Sequence, residues 1–209
     1  MPKLSQEQQD QRRSRILDAA ELCFAAAGFH PTTMQDIRKA AGISAGALYT
    51  YFDSKEALIS GISERDRAEI IAKFSALSES ADFSDGLRTV MRTCIVEQPP
   101  HKSQLYLAIA SEATHNPSVA KALSECDGAI RASLEGFLQR AHAAGRIAPT
   151  APIERVVAVM CVIADGMFWR RAVDPSIDLA AVATDLLDII GSLVGMRDAA
   201  LSPTVQAAQ

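Results

Sequence analysis

No stretch of this 209-residue chain is apolar for long enough to cross a bilayer. The longest strongly apolar run, Val156 to Ala164, has nine residues, against the roughly 18 to 20 that a spanning helix needs. An apolar h-region is also missing from Met1 to Arg15, a polar segment of mixed charge, so no secretory signal is read there and a cytoplasmic location without membrane contact is expected. Cys-x-x-Cys pairs are absent: Cys23, Cys94, Cys126 and Cys161 stand far apart inside apolar helical patterns, the pattern of reduced, buried thiols rather than of a disulfide framework. Positive charge is not in excess either. Lys and Arg total 21 and Asp and Glu 25, a net charge of −4, which excludes a wholly basic nucleic-acid coat and leaves room only for local DNA contact.

Two further absences narrow the class. No segment of four to eight residues shows the β-branched alternation of a strand, so the fold is expected to be all-α. No Gly-rich phosphate loop, HExxH, GxSxG or Cys/His cluster is present, so nucleophilic, hydrolytic and metal chemistry lack their parts, and neither an enzyme, a cofactor nor a metal site is expected. Glu112 and His115 make a single Glu-x-x-His step, whereas a bundled di-iron site needs two.

What is present is helical periodicity over nearly the whole chain. Gly28, Pro31, Gly42, Pro99, Pro100, Pro117, Gly145, Pro149, Pro152 and Pro175 punctuate it into about nine helices. The first eight or so residues and the segment after about Gly195 have little to bury and are expected to be mobile, 198–209 as a flexible tail. Residues 1 to 60 hold seven basic and seven acidic residues, so the remainder carries the whole negative charge and any phosphate contact depends on position.

The motif near the N-terminus carries the functional argument. From Arg12 a helix presents Ile16, Ala20, Cys23, Phe24 and Ala27 on one face and stops at Gly28. Thr33 is placed to cap a short second helix, Met34 to Ala41, with Asp36 at the third helical position. Gly42 ends it, Ile43 plugs the core, and Ser44 caps a third helix, Ala45 to Phe52. Two short helices joined by a Gly-containing turn form a helix-turn-helix, whose second helix enters the major groove of double-stranded DNA. Ala45, Gly46 and Ala47 leave the start of that helix bare, so backbone can approach bases and phosphates. Tyr49, Thr50 and Tyr51 offer hydroxyls and rings, and Leu48 and Phe52 anchor the buried side. Ser54 caps a fourth helix with Lys55 in its first turn, where a cation opposes the helix dipole and calls for an external anion such as phosphate. Taken singly, Tyr49 and Tyr51 also fit a packed or surface role and Lys55 a solvated one. Arg12, Arg13 and Arg15 fit phosphate contact or ordinary salt bridging.

The stretch ILDAAELCFAAAGFHPTTMQDIRKAAGISAGALYTYFDSKEALI, residues 16 to 59, resembles the N-terminal domain of the TetR family of bacterial transcriptional regulators, with AAGIS, GALY, YF and SKEAL in the family's order. The resemblance implies a helix-turn-helix DNA-binding domain over 10–56 and a larger helical effector-binding and dimerisation domain over 57–197. It implies a homodimeric repressor released from a palindromic operator by a small molecule. It also places Thr33, Gln35, Ser44, Ala45, Gly46, Ala47, Tyr49, Thr50, Tyr51 and Lys55 against DNA. With no Arg, Asn or Gln in the recognition helix, direct base readout should be sparse and DNA shape important, with Gln35 and Arg38 as supplements.

The resemblance fades after about residue 60. There, a pocket lined by Tyr106, Phe137, Cys161, Phe168 or Trp169 is expected, with Glu112 or Asp165 orienting a hydrophobic or cationic effector. Both acids lie on apolar stripes; Asp165 is expected to be poorly solvated, and an acid so placed needs a partner. That partner is a ligand or a structural group, Arg131 being a candidate for Asp165. Leu179, Val182, Ala183, Leu186, Ile190 and Leu193, with the helix from Ile153 to Arg171, suggest a four-helix dimer interface, the alternative being a wholly intramolecular core. Two rivals stand beside the main reading: a DNA-binding regulator without an effector or controlled by a protein partner, and an enzyme or carrier that keeps a helix-turn-helix for no DNA purpose.

Overall fold

The computed structural model describes residues 5–78 and 83–196. Among the described residues nine α-helices follow one another: α1 Gln6–Ala27, α2 Met34–Ala41, α3 Ala45–Tyr51, α4 Lys55–Ser78, α5 Phe83–Met91, α6 Pro100–Ala113, α7 Pro117–Ala143, α8 Ile153–Val173 and α9 Leu179–Val194. Among the described residues no strand occurs; one isolated antiparallel bridge joins Ile147 to Met196. The all-α class is the one the missing alternation indicated.

Helix α1 starts earlier than its apolar face. Ser5 and Gln8 form a reciprocal capping box, Gln8 N donating to Ser5 Oγ at 3.2 Å and Ser5 N to Gln8 Oε1 at 3.0 Å, so the polar residues from Gln6 onward are helical rather than loose. The tail expected over 198–209 lies outside the described residues. Gly195 is not frayed: it ends α9 at φ +58°, its carbonyl accepts from Ala148 N at 2.9 Å, and a Cβ there would lie 2.0 Å from Ala148 O. Gly42 performs the same stop for α2 at φ +65° and turns the chain into α3. One feature has no sequence counterpart. After α5 the helix widens into a π-turn, Arg92–Val96, and Arg171 of α8 donates to the Ile95 and Val96 carbonyls that this turn leaves over.

Two apolar cores result. The first gathers Ile16, Leu17, Ala20 and Phe24 of α1, Ile37 of α2, Leu48 of α3 and Leu58, Ile59 and Ile62 of α4, and is completed by Leu105 and Ile109 of α6 and Val119 of α7. The second gathers Phe83, Leu87 and Val90 of α5 with Leu134, Phe137 and Leu138 of α7, Val156 and Val157 of α8 and Leu187 and Ile190 of α9. Helix α4 feeds both, with Leu58 to Ile62 in one and Phe74 in the other. Its length of 24 residues makes it a rod of about 36 Å at 1.5 Å per residue.

Candidate nucleic-acid interface and core cavity

The helix-turn-helix is held from within, which fixes what it shows outside. Thr33 Oγ1 donates to Asp36 Oδ2 at 2.6 Å and accepts from Asp36 N at 3.2 Å. The hydroxyl's bond to the carboxylate, with a second that Thr33 N donates to the same oxygen at 3.1 Å, holds the Asp36 carboxyl below its ordinary range. Ser44 Oγ accepts from Ala47 N at 3.2 Å, and Leu48 pins α3 to the core. Thr33, Gln35, Ser44, Ala45, Gly46, Tyr49 and Thr50 are all exposed, and Ala47 is half-buried. No neighbouring atom lies within 4 Å of where a Gly46 Cβ would stand, so packing does not require glycine there; its effect is to leave the outer surface of α3 bare. Thr50 Oγ1 donates back to Gly46 O at 2.8 Å, which leaves its oxygen free to accept. Tyr51 is half-buried against the N-terminal core rather than fully outward.

Lys55 corrects the sequence reading. Its ammonium donates to Phe29 O at 2.6 Å and His30 O at 3.3 Å and sits 4.2 Å from the centroid of the Phe29 ring. The negative charge this helix start calls for is thus supplied by backbone carbonyls of the α1–α2 loop, not left open for phosphate. Other cations are committed likewise: Arg15 donates to Ala41 O at 2.8 Å, Arg38 to Ile43 O at 3.4 Å, and Arg13 pairs with Glu64 at 3.2 Å.

A cavity of about 620 Å³ lies between α4, α5, α6, α7 and α8, within the size range of small-molecule sites. Its walls include Ile70, Phe74, Leu87, Val90, Leu105, Ile109, Leu134 and Met160, and Tyr106, Cys161, Asp165 and Phe168 meet on one side. Tyr106 OH donates to Asp165 Oδ1 at 2.9 Å, and its ring stacks on Phe168 with centroids 5.3 Å apart. Burial and the neighbouring carboxylate push the phenol's pKa well up, so Tyr106 stays a donor.

The remaining expected lining residues are elsewhere. Phe137 is fully buried in the second core, stacked on Phe83 at 5.0 Å. Trp169 is 48% exposed on the outer face of α8. Glu112 is buried, but its partners are structural: His30 Nε2 at 3.0 Å and Asn116 Nδ2 at 2.9 Å. Asp165 is exposed rather than poorly solvated, and Tyr106 is its partner, since Arg131 is paired with Asp127 at 2.9 Å. The four thiols are half-buried and free, and burial raises the pKa of each. Outside the cavity, Val159, Val162, Trp169 and Val173 of α8 and Ile189 of α9 stand exposed.

The comparisons with known proteins decide the family. The model for bacterial regulatory proteins of the tetR family matches residues 16–62, and that for the tetracyclin repressor-like C-terminal domain matches 77–190. This chain belongs to the TetR family. It is 27% identical over 190 residues, 90% of itself and 97% of the relative, to the HTH-type transcriptional repressor Rv1474c of Mycobacterium tuberculosis. It is 33% identical over 137 residues, 66% of itself and 69% of the relative, to the HTH-type transcriptional regulator UidR of Escherichia coli. The structure of Salmonella enterica GusR superposes with a TM-score of 0.76 at 30% identity, covering 92% of this chain and 99% of that one. A SmeT–triclosan complex shares the fold, with a TM-score of 0.78 at 23% identity over 95% and 99%. As a TetR-family protein the chain is a DNA-binding transcriptional regulator. No helix among the described residues is long and apolar enough to cross a membrane.

Sequence reasoning missed a set of residues at the junction of the two parts. Glu21 of α1 is buried and bonded to Arg65 of α4 and Lys102 of α6. The signal was available: Glu21 lies on the stripe of Leu17 and Phe24, four residues after one and three before the other.

Proposed function

We propose that this regulator is a homodimeric repressor that occupies a palindromic DNA operator and leaves it when a small molecule fills the cavity between α4 and α8. The observation that carries this reading is that the cavity is walled by α4, α6 and α7, which also contribute to the core of the DNA-binding part. Filling it therefore acts on the elements that hold α1 and α3. The DNA face is Thr33, Gln35, Ser44, Ala45, Gly46, Ala47, Tyr49 and Thr50, with Tyr51 and Lys55 supporting it from behind. With Arg13, Arg15, Arg38 and Lys55 engaged within the protein, readout rests on apolar contact, hydroxyls and DNA shape. The exposed apolar residues of α8 and α9 support pairing with a second copy, which sets two recognition helices about 34 to 36 Å apart on successive major grooves. The effector has an apolar body, matching the walls, and a donor or cationic group meeting Asp165. SmeT, of the same fold, has been solved with triclosan, which supports a small-molecule role for a cavity of this kind.

The test is a selection of duplexes from a random-sequence library with the full chain, repeated in the presence of hydrophobic and cationic compounds. A symmetric site released by a compound is expected. A site that no compound releases would sink the effector half of the reading, and failure to select any duplex would sink the DNA half.

A further inference from the structure

The wall between the cavity and the DNA-binding part contains one ammonium that touches both. Lys102 Nζ of α6 donates to Glu21 Oε1 of α1 at 2.7 Å and to Asp66 Oδ1 and Oδ2 of α4 at 3.0 and 2.9 Å. Lys102 and Asp66 line the large cavity, and Lys102 with Glu21 also lines a second, polar cleft of about 370 Å³ between α1, α4 and α6. The groups facing them are Arg65, which holds Asp18, Glu21 and Asp66, and His101, whose Nε2 is 3.6 Å from Glu21 Oε2. Glu69, on the edge of both spaces, makes no ion pair among the described residues.

We propose that Lys102 is the positioning residue that transmits cavity occupancy to the DNA-binding domain, by tying Glu21 of α1 to Asp66 of α4. The proposal rests on the reading that the cavity governs operator binding. A buried carboxylate cannot lose its counter-ion and stay where it is without a large penalty. Glu21 is 4% exposed, and its cations come from α4 and α6. A ligand that parts α6 from α4 stretches Lys102 between two acids; α1 must then follow α6 and leave Arg65, or stay with Arg65 on α4 and leave Lys102. Burial pushes the Asp66 carboxyl up and the Lys102 ammonium opposes that rise, so Asp66 also depends on this contact. Small displacements in the wall are converted into a choice between two arrangements of α1, which is the behaviour a switch needs.

Coupling between sites is reciprocal, so the operator itself can serve as the probe without an identified effector. Amide hydrogen exchange of Leu105 to Ile109 in α6 is measured for the full chain, free and bound to the selected duplex. In the wild type, duplex binding is expected to change exchange there by at least about fivefold, the lower end of typical coupling. Lys102→Met should bind the duplex yet change exchange by less than about twofold, and Lys102→Arg should keep the wild-type response. If Lys102→Met fails to fold, the Glu21→Gln/Lys102→Met variant, which removes the buried charge with its partner, takes its place with the same expectation. A Lys102→Met response equal to wild type overturns this proposal alone. No response in the wild type overturns coupling between cavity and operator, and the reading beneath it.

Discussion

Replacing Lys55 separates a structural lysine from a phosphate-binding one. In Lys55→Met the apolar stem is kept and the ammonium lost, leaving Phe29 O without its 2.6 Å donor, weakening the cap on His30 O, and removing a cation 4.2 Å from the Phe29 ring. A charge-assisted hydrogen bond contributes about 1.5 to 3 kcal/mol and a cation–π contact at an exposed site about 0.5 to 1 kcal/mol. Lys55 is only half-buried, and water replaces part of both, so the expected loss is about 1 to 2 kcal/mol. For a chain of this size that lowers the midpoint by about 2 to 8 °C. The assay pairs thermal unfolding of the free protein with duplex titration at several salt concentrations. A lysine on phosphate contributes about one unit to the slope of log affinity against log salt; an ammonium spent on carbonyls contributes little. Unchanged stability with a slope reduced by one unit would refute the structural assignment and restore Lys55 to the DNA face.

Tyr49 behaves oppositely, being 56% exposed: Tyr49→Ala should leave stability within about 0.5 kcal/mol while lowering duplex affinity roughly tenfold or more, and equal affinity would remove it from the interface. Phe137→Ala should cost about 3 to 5 kcal/mol in urea unfolding, because the ring fills the core against Phe83 and Phe74; a stable variant with altered small-molecule binding would return Phe137 to the cavity. Gly195→Ala should destabilise strongly, since its φ of +58° disfavours a side chain and the Cβ would overlap Ala148 O; an unchanged melting curve would contradict the placement of this turn. Burial holds the cavity thiols Cys94, Cys126 and Cys161 above their ordinary pKa, so alkylation by iodoacetamide near pH 8 should run slower than for a free thiol and quicken as pH rises. Rates at or above that of free cysteine would show an activated thiolate.

The DNA-binding part was legible because its signals are local. The Thr33 and Ser44 caps, the Gly42 turn and the Leu48 anchor each act within four residues, and each is found as read. The same local logic failed for Lys55, whose carbonyl partners lie in another turn of the chain. In the C-terminal part the difficulty was choice among equivalent faces. Phe137 and Phe168 both sit on apolar helical stripes, and only the packing of α5 against α7 decides that one fills the core while the other meets Tyr106. An apolar stripe predicts poor solvation for Asp165, but such a stripe can face outward, and that of α8 does, with Val162 67% exposed.

The arrangement of α6 makes the whole molecule one mechanical problem. Its N-terminal end is tied to α1 through Lys102 and Glu21, and its C-terminal end to the α1–α2 loop through Glu112 and His30. Asn116, just beyond, caps α7 and donates to Glu56 at the start of α4. Between these anchors Leu105 and Ile109 belong to the core of the DNA-binding part and also line the cavity. A helix held at both ends cannot tilt by releasing one residue; in the proposed switch a ligand must press on its middle and move both anchors, or break one of them. Because both glutamates are buried, breaking an anchor takes one partner from a buried carboxylate, leaving Glu21 to Arg65 and His101 or Glu112 to Asn116, and moving the anchors carries α1 and the α1–α2 loop along. Shifts at the cavity therefore reach the mounting of α3, where a displacement of an ångström or two misplaces a recognition helix against its groove.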